Sequence, residues 1–356
     1  MVKVRTILPA LLIAAAASLP AHAGFIIDPT FDSSITSQTG AGAIESTINQ
    51  AISFFESTYS NNITVSIDFY AMTAGLGESQ VGFVYNQGYQ SYYNALVTTN
   101  ANPAAIAGLT ANGGNAANNP VSGNNVIDVK SADLRAVGLS GAPLCNVTAN
   151  TGSTKNTDPL TCSSTAGGSG AIDGLIGLNT NITYPPNPNN GSNYGLLSTT
   201  EHEIDEVLGL GSALPNCNSN PPRGQTVCNS ASATNPEPED LFRYIGDGEF
   251  APLTENCSDL SSTAYLSYSG ASDITNMNTA CNGGDWGDWN GNASAQVQDA
   301  FTGPGAQPAY GPSELDAMSA IGYTLAAPEP ATWLLMLTSL AVFGYAMRRS
   351  SVHARK

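Results

Sequence analysis

His202 is the one histidine in the central body of this 356-residue chain; His22 and His353 lie near its two ends. It stands in Thr199-Thr200-Glu201-His202-Glu203-Ile204-Asp205-Glu206-Val207-Leu208-Gly209. Residues at i and i+4 share a helix face, so on a helix His202 and Glu206 project together, with Glu203 beside them. An imidazole and a carboxylate so placed are two metal donors, and the neighbouring carboxylate is a base for metal-bound water. A hydrolytic zinc site needs three protein donors and an open position. With no second histidine in the body, the remaining donors must be oxygens. Carboxylate oxygen binds zinc at roughly 2.0–2.2 Å, but its charge makes the bound water less acidic and favours harder ions such as Mn²⁺ or Ca²⁺. The expected cofactor is zinc, or another divalent cation because of Glu206.

The elements that must hold this helix are legible around it. Ile44, Ile48, Ile52 and Phe55 recur at three- and four-residue intervals, which predicts an amphipathic helix over 43–59. Ile63, Val65, Ile67 and Phe69 alternate with polar residues, the pattern of a half-buried strand. A second strand is expected near 81–85, a short helix over 89–98, and a loop without a core over 100–125. Next come a short strand over 126–129, a helical turn over 131–137 closed by Gly138, and a strand within 170–183. The His202 helix is expected over 194–208, ended by Gly209 and Gly211. Further on lie a hairpin near 264–269, the tryptophan turn Gly284-Asp285-Trp286-Gly287-Asp288-Trp289, and a helix over 313–321. That order implies an α+β fold. Asp285 and Asp288 admit a calcium site, although a packed tryptophan turn is the better explanation.

Composition narrows the partners. The chain carries a net charge of −17, and of its 11 basic residues only Lys130, Arg135, Lys155, Arg223 and Arg243 fall in the body. Such an acidic surface repels nucleic acid and anionic lipid. The first 23 residues read as a secretory signal: Lys3 and Arg5, an apolar stretch, then Ala21-His22-Ala23. All six cysteines, in pairs Cys145 and Cys162, Cys217 and Cys228, and Cys257 and Cys281, lie in the body. An even count in an exported chain reads as disulfides, here expected in sequential pairing. Pro328-Glu329-Pro330, the apolar run 331–347 and Arg348-Arg349 predict a single-pass anchor with its C-terminus in the cytoplasm.

That last arrangement looks like the PEP-CTERM sorting signal of Gram-negative bacteria. The resemblance implies transient anchoring in the inner membrane, processing by an exosortase-type protease, and a cell-surface or extracellular destination. From residue 43 to 323 the order of elements also resembles the zincin-like metalloproteases found among such exported proteins. The stretches that carry it are 132–139, Glu201 to Gly209, Glu239-Asp240-Leu241-Phe242-Arg243-Tyr244, Asp285 to Trp289 and 315–323. The resemblance implies a zincin-like fold with a mixed sheet and an active-site helix, a loop-rich disulfide-containing C-terminal part, and peptide or protein substrates. The chain divides accordingly into a signal (1–23), an N-terminal subdomain ending in the helix (24–209), a C-terminal subdomain (210–325) and the sorting segment (326–356). His202 matches the first ligand, Glu203 the general base, and Glu206 stands where the pattern has a second histidine. In the metzincin branch a third ligand would fall at Ser212. Asp240 is the chosen third ligand, with Glu239 and Glu237 as competitors, and Tyr244 is the expected oxyanion donor. Three functions remain open: a metal-dependent peptidase, a zincin-like surface or matrix protein without catalysis, and a calcium-stabilised adhesive module that uses the acidic loops.

Overall fold

The computed structural model describes residues 24–147, 160–162, 168, 170–215, 230–256, 263–279, 282–291 and 294–327. The expected leader (1–23), the apolar run 331–347 and Cys217, Cys228, Cys257 and Cys281 lie outside the described residues. Among the described residues no helix is long and apolar enough to cross a membrane.

The chain opens with β1 (Ile26–Phe31), the single turn α1 (Ser33–Thr36), α2 (Ala41–Thr58), β2 (Thr64–Ala71), β3 (Gly77–Val81) and β4 (Phe83–Gly88). There follow α3 (Tyr89–Thr99), α4 (Pro103–Ala111), β5 (Val126–Lys130), α5 (Ser131–Ala136), β6 (Cys145–Val147), β7 (Leu160–Cys162), β8 (Gly174–Leu178), β9 (Thr183–Tyr184) and β10 (Tyr194–Gly195). The long helix α6 (Leu196–Leu208) comes next, then β11 (Ser230–Ser232), a 3-10 turn (Glu239–Phe242), β12 (Arg243–Gly246) and β13 (Glu249–Phe250). β14 (Thr254–Asn256), β15 (Ala264–Leu266), β16 (Thr275–Met277) and α7 (Pro312–Ala320) complete the order. Helices and several sheets thus mix in an α+β architecture.

The central sheet has the order β1-β2-β8-β3. β1, β2 and β8 run parallel, and β3 is antiparallel to β8 at the edge. Every residue of β8 is buried, because the sheet is covered on both faces. On one face Gly174 lets Val207 of α6 approach, where a β-carbon would collide with the valine side chain. On the other face Gly177 does the same for Tyr70 and Met72. α2 lays Ile44, Ile48, Ile52 and Phe55 into the same core as Ile204, Val207 and Leu208 of α6. A second sheet, β13-β12-β15-β16, is built beyond α6.

Three expectations change. β1 is absent from the sequence reading because Asp28 and Pro29 interrupt its alternation; Pro29 is tolerated because β1 is an edge strand. The expected strand near 81–85 is two strands, broken at Gly82, where a β-carbon would strike Cys145 Sγ. Residues 100–125 are not a coreless loop. Asn102 caps α4 by accepting from Ala105 N (3.0 Å), Pro103 starts it, and Ala105 and Leu109 are fully buried. Cys145 is disulfide-bonded, and the β6–β7 ladder places it directly opposite Cys162.

Candidate metal centre

α6 is a helix because its apolar residues Leu196, Ile204, Val207 and Leu208 form one buried stripe. Its last turn is satisfied from outside: Tyr323 donates its hydroxyl to the Leu208 carbonyl (2.7 Å), and Lys130 Nζ donates to the carbonyl of Leu210 just beyond. The face opposite the core carries His202, Glu203 and Glu206 to the floor of a cleft of about 890 Å³. The edge strand β3 lines one side, and the segments 211–215, 283–288 and 297–302 contribute to its lining.

Donor atoms of His202, Glu203 and Glu206 all lie within 4.8 Å of one another, so this group can hold a metal ion. His202 Nδ1–H donates to the Val297 carbonyl (2.9 Å), which leaves Nε2 facing the carboxylates. Nε2 is 3.5 Å from Glu206 Oε1 and 3.7 Å from Asp288 Oδ1. Two donors on a tetrahedral zinc ion with bonds near 2.1 Å are roughly 3.4 Å apart, so the observed spacings suit a zinc-sized ion. The other Glu206 oxygen accepts from Ser79 Oγ on β3 (2.6 Å), which fixes the carboxylate against the edge strand. Glu203 is 5% exposed and fills the space above Gly77; a β-carbon there would overlap its carboxylate.

The electrostatics follow from crowding these groups. Burial alone would lift the Glu206 carboxyl, but its hydrogen bond and charge interaction with His202, then Lys130 and Ser79, bring it down to about 2. Burial opposes the imidazolium of His202, yet the facing Asp288 and Glu206 carboxylates raise it well above the ordinary histidine range. Glu203 moves up, first through burial and then through the charge of Glu206. A divalent ion placed among these carboxylates would relieve their mutual repulsion.

Asp240 and Tyr244 are not brought to this place. The 3-10 turn points Asp240 at the loop after α6, where it accepts from Ser212 Oγ (2.6 Å), Ala213 N (3.0 Å) and Glu237 N (2.9 Å). Its two oxygens organise that loop, and it does not line the cleft. Ser212 is therefore a donor to Asp240. Glu239 is likewise engaged, accepting from Gly211 N (2.5 Å), whereas Glu237 lines the cleft with Lys130 at 3.6 Å. Tyr244 is fully buried on β12, stacked on Phe250 with centroids 4.6 Å apart, and accepts from Asn112 Nδ2 (3.2 Å). Among the described residues the tyrosine that lines the cleft is Tyr194, on β10 just before α6.

Asp288 beside His202 is the neighbour that the sequence offered only as a calcium or turn residue, apart from the helix site. Its signal was an acidic residue inside a buried aromatic turn: Trp286 and Trp289 are 1% and 0% exposed. Comparison with family models, with curated proteins and with solved structures finds no match for the chain.

Proposed function

We propose that this chain is an exported, zincin-like, metal-dependent peptidase. The observation that supports it most is the convergence of His202, Glu203 and Glu206 on the floor of an open cleft bordered by an edge strand. Zinc is the ion we assign, through the imidazole donor and the 3.5 Å between His202 Nε2 and Glu206 Oε1, and the carboxylates also accept a harder divalent cation. When bound, zinc polarises a carbonyl and lowers the pKa of water.

The residues supply the rest. His202 and Glu206 hold the ion, with Val297 orienting the imidazole and Ser79 the carboxylate. Glu203 receives the proton of the attacking water on its carboxylate and passes it to the leaving amine nitrogen. β3, the last strand of the central sheet, borders the cleft and would run alongside an extended peptide whose scissile bond lies over the helix. The sorting-signal resemblance supports a destination at the cell surface or in the extracellular matrix, after processing by an exosortase-type protease.

The test uses the purified full chain and a random fluorogenic peptide library. Glu203→Gln is expected to lower kcat/KM by about 10²–10⁴-fold with metal content unchanged. Equal cleavage by the variant and the wild type contradicts the proposal. No cleavage by either supports a surface protein without catalysis.

A further inference from the structure

We propose that Asp288 is the third protein ligand of this metal centre and that the tryptophan turn 284–289 is the loop that delivers it. The inference rests on the reading that His202 and Glu206 hold a metal. An α-helix supplies two donors at i and i+4, and a third must come from another segment. Asp288 Oδ1 lies 3.7 Å from His202 Nε2, close to the 3.5 Å that separates Nε2 from Glu206 Oε1. Both are near the roughly 3.4 Å expected between donors on one tetrahedral zinc ion. The donors already within 4.8 Å of one another are those of His202, Glu203 and Glu206, so Asp288 approaches from the imidazole side and closes toward Glu206 when the ion binds.

One short segment orients both the imidazole and the aspartate. Val297 accepts from His202 Nδ1, and the next residue, Gln298, donates its side-chain amide to Asp288 Oδ1 (3.0 Å). Gln298 is fully buried and is itself held, its backbone N–H donating to Glu314 Oε1 (3.2 Å) and its carbonyl accepting from Trp289 N (2.7 Å). Ligands held by such outer hydrogen bonds are the usual construction of a metal site. A histidine–aspartate ion pair alone does not require a common strut for both partners.

The turn is clamped to the end of the metal helix. Gly287 packs against Gly211 so closely that a β-carbon would collide with the Gly211 backbone. Trp286 donates its indole N–H to the Pro215 carbonyl (3.1 Å), and Asn278 N donates to the Asp288 carbonyl (2.7 Å). Asp288 is 4% exposed and shares its surroundings with Glu206 and Asp285. Burying several carboxylates together is costly without a cation among them. Gly287 is thus a positioning residue and Asp288 the ligand.

The experiment titrates the full chain with Co²⁺, a spectroscopic probe for a zinc site. Wild type is expected to bind one ion with visible d–d absorption, and His202→Ala to bind none. Asp288→Asn is expected to weaken binding by at least about 100-fold and to change the spectrum. Asp288→Cys gives a positive readout, a thiolate-to-cobalt charge-transfer band in the near ultraviolet that appears only if position 288 ligates. Gly287→Ala is expected to weaken Co²⁺ binding although every carboxylate is retained. If Asp288→Asn binds as wild type does and Asp288→Cys shows no charge-transfer band, while His202→Ala abolishes binding, the third-ligand assignment is overturned and the metal reading stands. If wild type binds no ion, or His202→Ala binds as wild type does, both fall.

Discussion

A glycine decides where the proposed general base can sit. Gly77 is the residue of β3 over which Glu203 folds its carboxylate, and a methyl group there would occupy the same space. Gly77→Ala should leave the strand paired with Leu178 while pushing the carboxylate aside. Displacement of a reacting group by about 1 Å can cost on the order of 10²-fold in rate. The expected result is a fall of that order in kcat/KM, with metal content and far-ultraviolet circular dichroism unchanged. Unaltered cleavage would remove Glu203 from the base role. Contrast with Asp240 is instructive. Both are buried acids, but Asp240 accepts from Ser212 Oγ, Ala213 N and Glu237 N, and so is spent on holding the loop after α6 away from the cleft.

Elements are tied together by a few buried polar joints, and Arg135 is the main one beneath the sheet. Its guanidinium meets both Asp173 oxygens at 2.9 and 2.8 Å and also donates to the carbonyls of Thr64 and Ser131. It therefore joins β2, α5 and the entrance to β8. Asp173 is 1% exposed, so Arg135→Ala leaves an uncompensated buried charge and should cost about 3–5 kcal/mol in denaturant unfolding. Arg135→Lys keeps the charge but not the two-pronged geometry, and should recover only part of that. A loss within experimental error for Arg135→Ala would contradict this account. Periodicity made α2 and β2 legible from sequence, since α2 exposes one face and buries another and β2 alternates, while α6 was readable from the spacing of His202 and Glu206 and the glycines that end it. It could not show α4, whose buried residues are alanine, glycine and leucine among asparagines, although Asn102 and Pro103 announce its start. Nor could it pair residues 86 positions apart, so Asp288 was left as a turn residue and Asp240, nearer in sequence, was preferred for the ligand. The helix half of the site was readable because its spacing lies within one element; the other half depends on how loops pack.

The whole molecule stores acid groups in its interior, and this gives its stability a definite slope with pH. Burial pushes the Asp133 carboxyl well above the usual range, and it pushes Glu237 up to about 8, an effect that nearby Lys130 only partly offsets. Folded, these groups keep protons that the unfolded chain releases above about pH 4. Unfolding then releases protons, so the stabilisation is complete below the unfolded pKa and is lost as pH rises toward about 8. Each group contributes up to about 1.4 kcal/mol per pH unit. The net charge of −17 at pH 7 acts in the same direction through self-repulsion. The Tm of the chelator-treated chain should fall between pH 5 and pH 8, and Glu237→Gln should flatten part of that decline; a rising profile would contradict it. A metal that binds only the folded state raises Tm by mass action, so the centre on α6 can be read in the same molecule. The most direct test is metal content by mass spectrometry of the purified full chain, before and after dialysis against zinc, beside His202→Ala. The account predicts one zinc ion per wild-type chain, a higher Tm with zinc, and neither in the variant. Wild type without metal, or equal zinc in both proteins, would contradict it.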